Sequence, residues 1–257
     1  YSDLDGDWDA DGDHTYGEVG DNVDMYADVY VGKASVYDVS MAQNFVYKVL
    51  TYEQDPPSEY IKKLMLPTAI LWSSYEERPM QDSIADMVPG DWQVSKMYER
   101  NGNLSRQGMI DTMNVGYNLG HWEGHGDEDG IYMGSPYLTS GDADNLVNGD
   151  KVGIANSIAC MTGGWDLVSS GQDCFAEHLV NRVGGGLCGV MMNSRYGWGA
   201  YVGGYVPGPS ERIDTTFYYN IFYNQIYNLG ETHAVAKDAW VFYADSGNQY
   251  DMTRWCI

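Results

Sequence analysis

Basic side chains are scarce in this sequence. Its 257 residues include only 14 lysines and arginines against 37 aspartates and glutamates, which gives a formal net charge of −23. Such a surface would repel the phosphates of nucleic acid, so nucleic acid is excluded as a partner. The excess of acids instead fits a soluble secreted protein, a protein of salty surroundings, or one that binds cations.

Long apolar runs and cysteines are also scarce. No run approaches the roughly 20 apolar residues that cross a membrane, so no membrane span is expected. The hydrophobic content of 44% is nevertheless enough for a packed core. The four cysteines are too few for a disulfide scaffold in a chain of this length. They are compatible with one disulfide, or with one nucleophile among buried thiols: Cys160, Cys174, Cys188 and Cys256.

Apolar patterning predicts strands that alternate with helices. Short apolar runs predict strands at 27–36, 68–74, 115–122, 151–160 and 186–194. Helical periodicity predicts helices at 40–52, around 109–113, at 173–183, near 210–228 and near 232–244, the last with Thr232 as N-cap. The alternation is typical of an α/β domain with a largely parallel sheet flanked by helices, here one domain over 1–257. Active residues of such sheets gather at the carboxyl ends of strands, where His125 and Cys160 stand.

Two of the five histidines lie four residues apart in GHWEGHGDEDG, residues 120–130. His121 and His125 have the spacing of a helical zinc site, which could add acids from the DEDG turn. In that zinc signature the acid follows the first histidine directly, whereas here it is Glu123, and the glycines disfavour a helix. The segment is therefore interpreted as a strand end and a solvated turn, with proton chemistry at His125.

The acidic first 22 residues contain a complete calcium-loop pattern. DWDADG and a glutamate six positions later match D-x-D-x-D-G-x5-E. Alternate carboxylates of such a loop converge on a hard cation, the glycine makes a sharp turn, and the glutamate binds through both oxygens. The predicted Ca²⁺ ligands are Asp7, Asp9, Asp11, the backbone carbonyl of Asp13, and Glu18, with Asp3 or Asp5 as substitutes. Flanking EF-hand helices are not evident, and a solvated acidic terminus is the alternative.

Cys160 lies at the end of an apolar strand, in SIACMTGGWD. A glycine-containing turn leaves a nucleophile at this position exposed, and nearby backbone N–H groups can stabilise an oxyanion. The thiolate is the reactive form of cysteine and needs local positive charge or hydrogen bonds. A small, buried, hydrophobic cysteine is the alternative interpretation of this position.

Several short motifs together resemble the gingipain-type cysteine peptidases, which belong with the caspase-like proteases. The motifs are YGE, VYVGKASV, YEQ, GHG at 124–126, the Ala159–Cys160 pair followed by GGW, DCFAEHL at 173–179, and Trp198. The resemblance covers much of the chain and rests on the order and spacing of these motifs. It implies a caspase-like fold and a secreted or cell-surface cysteine endopeptidase that cleaves proteins or peptides. Together with the acidic loop, this gives a calcium-binding cysteine endopeptidase as the leading hypothesis.

The resemblance also implies roles for residues around the histidine–glycine and alanine–cysteine pairs. His125 would be the catalytic histidine, Cys160 the nucleophile, and the backbone N–H groups of Gly126 and Cys160 the oxyanion hole. A glutamate that supports the histidine would be Glu76, with Glu77 as the near alternative. His121 falls where the family has no histidine, so its implied role is structural.

Substrate selection follows from the same resemblance. The family places an acid that binds a basic P1 side chain at the start of the next helix. Asp82 is the matching residue here and Asp86 the next, while Trp198 matches a tryptophan that walls the same pocket. These positions imply cleavage after arginine or lysine.

The resemblance also implies an incomplete catalytic domain. The chain begins at Tyr1, close to the acidic loop, and stops at Ile257, before a glycine–aspartate–proline stretch that commonly follows the last helix in that family. We therefore expect a processed form in which a companion chain from the same precursor completes the sheet. The alternative hypothesis is a non-catalytic adhesin or assembly module of the same fold, stabilised by calcium.

Overall fold

A computed structural model of the chain describes residues 6–17, 21, 23–199 and 207–244. The chain divides into two compact units. Among the described residues, one unit comprises residues 33–197, and the other comprises residues 6–17, 21, 23–32, 198–199 and 207–244. The single domain over 1–257 that the sequence suggests stays a prediction.

The first unit is built on a parallel sheet. The strands among its described residues are β1 (Lys63–Thr68), β2 (Gln93–Tyr98), β3 (Leu119–Trp122), β4 (Gly126–Asp127), β5 (Gly130–Ile131), β6 (Leu138–Thr139), β7 (Gly153–Ser157) and β8 (Leu187–Met192). Five of them pair in the order β2-β1-β3-β7-β8, and each pair is parallel. The short strands β4, β5 and β6 form a separate antiparallel sheet.

Helices connect and cover these strands. They are α1 (Val39–Gln54), α2 (Arg78–Met87), α3 (Arg106–Val115), α4 (Ser140–Ala143) and α5 (Phe175–Asn181), with a 3₁₀ turn at Glu99–Asn101. Parallel neighbours need crossover connections, which α2, α3 and α5 provide between successive sheet strands. Asp38 begins α1 by accepting a hydrogen bond from the Met41 N–H at 2.8 Å, and two prolines follow its end. The predicted class, a largely parallel sheet flanked by helices, is confirmed.

Two predicted strands are wrong. No strand forms at 27–36, where Lys33 instead binds Glu177 through a 2.7 Å ion pair. The strand predicted at 68–74 lies earlier, because β1 ends at Thr68 and a loop follows. In that loop, side-chain carboxylates accept hydrogen bonds from the N–H groups of Ile70 and Leu71, so these donors are not available for strand pairing.

The core of the first unit reaches the ends of β3 and β7. Trp122, the last residue of β3, is buried, and its ring centroid lies 6.5 Å from that of Phe175 in α5. Ala159 belongs to the same buried cluster and directly precedes Cys160. Packing therefore fixes both loops that leave these strand ends.

The second unit contains α6 (Pro209–Phe222) and α7 (Leu229–Ala244), which pack against each other. The Arg212 guanidinium lies over the Trp240 ring, 5.1 Å from its centroid. Thr232 is not the N-cap of α7, because the helix begins three residues earlier and Asn228 accepts a hydrogen bond from the Glu231 N–H at 3.1 Å. None of the helices in the described part of the chain is long and apolar enough to cross a membrane.

Candidate active site

Strand register places His125 and Cys160 at the same edge of the sheet. β3 and β7 are neighbouring parallel strands, and Trp122 pairs with Ser157 at their carboxyl ends. His125 follows Trp122 by three residues, and Cys160 follows Ser157 by three. Because neighbouring strands lie about 4.8 Å apart, the loops that hold the two side chains leave the sheet side by side.

Gly126 brings these two loops into contact. A Cβ atom added at this glycine would lie 2.7 Å from Thr162 Cγ2, and 3.0 Å from both Ala159 Cβ and the Cys160 carbonyl oxygen. A side chain at this position would therefore push the loops apart. The structure thus brings together three of the predicted catalytic residues: His125, Gly126 and Cys160.

Cys160 is a half-buried free thiol on a tightly held turn. Its Sγ accepts a hydrogen bond from the Gly197 N–H at 3.3 Å. Met161 has a left-handed backbone with φ of +56°, which is uncommon for a residue with a side chain and costs free energy. The Thr162 hydroxyl donates to the Ala159 carbonyl at 3.2 Å, which closes the turn around the cysteine.

His125 is exposed, and its ring is oriented by a backbone carbonyl. Nε2 lies 2.9 Å from the Leu71 carbonyl oxygen, and the Trp72 ring packs edge-on to the imidazole with centroids 5.8 Å apart. A carbonyl only accepts hydrogen bonds, so Nε2 must carry the proton. In the neutral ring this leaves Nδ1 as the free base.

A buried carboxylate holds the peptide that orients the histidine. Glu77 is 1% exposed, and its Oε1 accepts the Leu71 N–H at 2.7 Å. Its Oε2 accepts a hydrogen bond from Arg100 Nε at 2.6 Å, and Arg100 also donates to the Trp72 carbonyl at 2.7 Å. Glu77 and Arg100 therefore hold the backbone on both sides of the Leu71 carbonyl, which contacts His125.

A second acid holds the preceding residue of the same loop. Glu99 accepts the Ile70 N–H at 2.8 Å and the Tyr132 hydroxyl at 2.9 Å. The Tyr132 N–H in turn donates to the His125 carbonyl at 2.7 Å. Tyr137 packs edge-on to Tyr132, and burial followed by the nearby charges of Asp127 and Cys160 raises its pKa. Two tyrosines therefore border the dyad.

Glu76, the predicted supporting acid, is not brought to His125. Its two oxygens each accept a hydrogen bond from Arg78 at 2.6 Å, and this pairing lowers the pKa of Glu76. The sequence alternative, Glu77, is the residue that reaches the histidine, through the Leu71 peptide. Sequence position alone could not separate the two neighbours, because only the loop geometry decides which side chain turns inward.

Asp82, the predicted P1-binding acid, is held by partners on the edge strand of the sheet. Asp82 accepts hydrogen bonds from Lys96 Nζ at 2.7 Å and the Tyr98 hydroxyl at 2.8 Å, both on the edge strand β2. Burial raises the pKa of Asp82, but these bonds outweigh burial and leave it lowered. Asp86 lies one turn further along α2. Trp198 belongs to the second unit, where its N–H donates to the Ser210 hydroxyl at 3.0 Å.

His121 is a residue of the core. It lies within β3, opposite Asn156 of β7, and is completely buried. A helix brings residues four apart to about 6 Å from each other, whereas an extended chain separates them by about 13 Å, and His125 lies beyond the end of β3. Within the described residues, the only three acids, histidines or cysteines close enough to share a metal ion are Asp9, Asp11 and Asp21.

That acidic group lies in the predicted calcium loop. One carboxylate oxygen from each of Asp9, Asp11 and Asp21 lies within 4.8 Å of the others, and oxygen donors in this arrangement fit a hard cation such as calcium. Gly12 has φ of +74°, as the sixth position of such a loop requires. Sequence reasoning missed Asp21, which is buried and accepts the Ala10 N–H at 2.8 Å, because it lies beyond the twelve-residue pattern.

Other predicted loop ligands lie outside this group. The Asp7 carboxylate accepts the Asp9 N–H at 3.1 Å, and the Asp13 carboxylate accepts the Thr15 N–H at 2.7 Å. These bonds shape the turns of the loop. The Asp13 backbone carbonyl stays a predicted ligand. Three further predicted or substitute ligands lie outside the described residues: Asp3, Asp5 and Glu18.

Two proteins of similar sequence are gingipains of Porphyromonas gingivalis. Lys-gingipain W83 of Porphyromonas gingivalis is 23% identical over 240 residues, which is 90% of this chain and 13% of that protein. Gingipain R2 of the same organism is 25% identical over 180 residues, 65% of this chain and 23% of that protein. The chain therefore spans less than a quarter of these relatives' lengths.

Two solved structures match this chain over about half of their own length. The crystal structure of the Arg specific cysteine proteinase gingipain R superposes with a TM-score of 0.71 at 18% identity, over 85% of this chain and 51% of that chain. A complex of Porphyromonas gingivalis RgpB pro- and mature domains superposes with a TM-score of 0.70 at 16% identity, over 86% of this chain and 53% of that chain. At these identities the match establishes the fold. The model described as peptidase family C25 matches residues 1–257, and the chain therefore belongs to peptidase family C25.

Proposed function

We propose that this chain is a cysteine endopeptidase domain in which Cys160 is the nucleophile and His125 transfers the protons. The proposal rests on one observation, the contact between Gly126 and the turn of Cys160. This contact sets a histidine loop and a cysteine loop side by side at the carboxyl ends of adjacent parallel strands. Membership of peptidase family C25 supports the same chemistry.

The mechanism follows from the orientation of the histidine. The hydrogen bond to the Leu71 carbonyl keeps the proton on Nε2, so Nδ1 is the atom that exchanges protons with Cys160 and the substrate. The Cys160 thiolate attacks the peptide carbonyl, and His125 protonates the leaving amine. His125 then removes a proton from water, and the resulting hydroxide attacks the thioester, which releases the acyl group as a carboxylic acid and restores the Cys160 thiolate beside protonated His125.

The negative charge on the carbonyl oxygen needs donors that are already in place. The backbone N–H groups of Gly126 and Cys160 are the proposed pair, because their peptides touch at the strand ends. Each donor of an oxyanion hole contributes on the order of 3 kcal/mol to the transition state. A side chain at position 126 would separate the two peptides and weaken both contributions.

Cleavage is expected after arginine or lysine. Two similar proteins are named as Lys-gingipain and as an Arg specific proteinase, and the net charge of −23 favours cationic substrates. If Asp82 contacts the P1 side chain, the substrate cation must displace Lys96.

A peptide library incubated with the wild type, and with Cys160→Ala as the inactive control, tests the proposed activity and specificity. A profile that prefers leucine or aspartate at P1 would contradict the specificity, and no cleavage at any sequence would contradict the activity.

We also propose that calcium stabilises the acidic loop. Asp9, Asp11 and Asp21 would supply carboxylate oxygens, and without a cation their charges repel at short range. Two of these acids are partly or fully exposed, which suits the roughly millimolar calcium outside cells. The proposal therefore agrees with the secreted or cell-surface location expected from the sequence.

Chelation should lower the melting temperature by several degrees. A cation bound only to the native state at about 100 times its dissociation constant adds about 2.7 kcal/mol to the free energy of unfolding. For a chain of this size that corresponds to about 5 °C or more. Thermal melting with excess calcium and with excess EGTA measures the difference, and Asp11→Asn should reduce it. Identical melting curves in calcium and EGTA would rule out a stabilising site.

A companion polypeptide from the same precursor is the proposed partner. A complex of RgpB pro- and mature domains is known for a similar fold. In the first unit, α1 exposes an apolar stripe of Val39, Val46 and Leu50, which share one helix face and suit a second polypeptide. Intact mass and gel filtration of the purified active protein test this proposal. An active monomer that consists of this polypeptide alone would contradict it.

A further inference from the structure

The segment of the first unit that follows β8 runs beside the turn of Cys160. The carbonyl of Asn193 accepts the Gly163 N–H at 2.9 Å, and the carbonyl of Arg195 accepts the Met161 N–H at 2.7 Å. Gly197 is the next alternate residue after Asn193 and Arg195, and its backbone N–H also faces the turn.

The N–H of Gly197 reaches the reactive atom itself. It donates to Cys160 Sγ at 3.3 Å. Only glycine fits here, because a Cβ atom would lie 1.9 Å from the Ile158 carbonyl oxygen. A backbone donor on the sulfur favours the thiolate over the thiol, since the bond is stronger to the charged form.

An ion pair joins the segment after β8 to the loop that follows Cys160. Arg195 Nη1 donates to Asp166 Oδ1 at 2.9 Å, and Nη2 donates to Oδ2 at 2.7 Å. This bidentate geometry restrains both orientation and distance. Arg195 lies two residues before Gly197, and Asp166 lies six residues after Cys160. The ion pair therefore spans the turn that carries the sulfur.

We propose that Asp166 and Arg195 are positioning residues that hold the Gly197 N–H against Cys160 Sγ and so raise the thiolate fraction of the nucleophile. The inference deepens the proposed peptidase function, because it concerns the same sulfur atom. It is measurable without a substrate, since thiolates react with alkylating reagents and thiols do not.

Asp166→Asn separates positioning from simple electrostatics. Removing a negative charge near a thiolate should stabilise the thiolate and move its alkylation profile to lower pH. Loosening the Gly197 donor should destabilise the thiolate and move the profile to higher pH. The two effects have opposite signs, so the direction of the shift identifies the dominant one. Arg195→Lys keeps the charge and loses the bidentate geometry, so electrostatics alone predicts no shift for it.

The experiment measures the rate of iodoacetamide labelling of the Cys160 peptide by mass spectrometry across pH. We expect the midpoint of the profile to rise by about half a pH unit in Asp166→Asn, which slows labelling about threefold below the midpoint. Arg195→Lys should give a smaller rise. Asp91→Asn, which breaks the exposed pair with Lys62 on another part of the sheet unit, should give none.

An unchanged or lowered midpoint in Asp166→Asn, with the melting temperature of the wild type, would overturn the proposal. A rise of equal size in Asp91→Asn would overturn it too, because the effect would then be general. The proposed peptidase function fails separately. If the wild type cleaves no peptide but the Asp166→Asn profile still rises, the positioning role holds and the catalytic one does not.

Discussion

Replacing Cys160 by alanine is expected to reduce peptide hydrolysis by at least about 10⁴-fold. In the proposed mechanism no other group takes over the attack, because the acyl intermediate forms on this sulfur. His125→Ala should cause a comparable loss, since the leaving amine is then not protonated. Steady-state kinetics with the best library peptide measures both variants.

Alkylation of the same variants distinguishes the loss of the nucleophile from a loss of folding. Burial raises the pKa of both Cys174 and Cys188 to about 11, so these thiols stay protonated at neutral pH. Iodoacetamide should therefore label the Cys160 peptide in the wild type and in His125→Ala, and should label neither Cys174 nor Cys188. Cys256 lies outside the described residues, and its peptide is followed separately.

Cys188→Ala is the matched control, because it removes a thiol on β8 that the proposed mechanism does not use. Its catalytic rate should stay close to that of the wild type. If Cys188→Ala is inactive while Cys160→Ala still cleaves peptides, the assignment of the nucleophile is wrong. If both variants cleave normally, the activity does not depend on a thiol.

The parts of the fold that the sequence predicts well are those with strong local signals. The apolar runs before GHG and before the Ala159–Cys160 pair correspond to β3 and β7, and the periodic segments correspond to α1, α3 and α5. β2 was missed, because an edge strand with the sequence QVSKMY has no continuous apolar run. Without β2, its residues Lys96 and Tyr98 could not be recognised as partners that already occupy Asp82.

Long-range contacts explain the other differences. Asp21 joins Asp9 and Asp11 only through the path of the loop, which a twelve-residue pattern does not describe. The different roles of Glu76 and Glu77 depend on two arginines. Arg78 donates to Glu76, and Arg100 donates to Glu77. Both arginines are visible in the sequence, but their partners are decided by packing.

Replacement of Glu77 by alanine should therefore damage the protein far more than replacement of Glu76. The Glu77 carboxylate is buried and binds both the Leu71 N–H and Arg100. Removing one partner of a buried pair leaves the other uncompensated, so we expect a loss of about 3 kcal/mol in the free energy of unfolding. Glu76 and Arg78 are each about one-third exposed, and solvent screens their pair, so Glu76→Ala should change stability little.

The more conservative variant Glu77→Gln tests the link to the histidine in a protein that still folds. Its amide oxygen can accept the Leu71 N–H, but the charge that holds Arg100 is lost, so the loop that orients His125 loosens. A displacement of about 1 Å at a catalytic group can cost about 10²-fold in rate. We expect kcat to fall by about 10-fold or more while KM changes less, because the histidine acts in the chemical steps. Glu76→Gln is the matched control and should keep both constants near those of the wild type. The reverse result, a large loss in Glu76→Gln and none in Glu77→Gln, would restore Glu76 as the residue that supports His125, because an acid that does not reach the Leu71 peptide would then be orienting the imidazole.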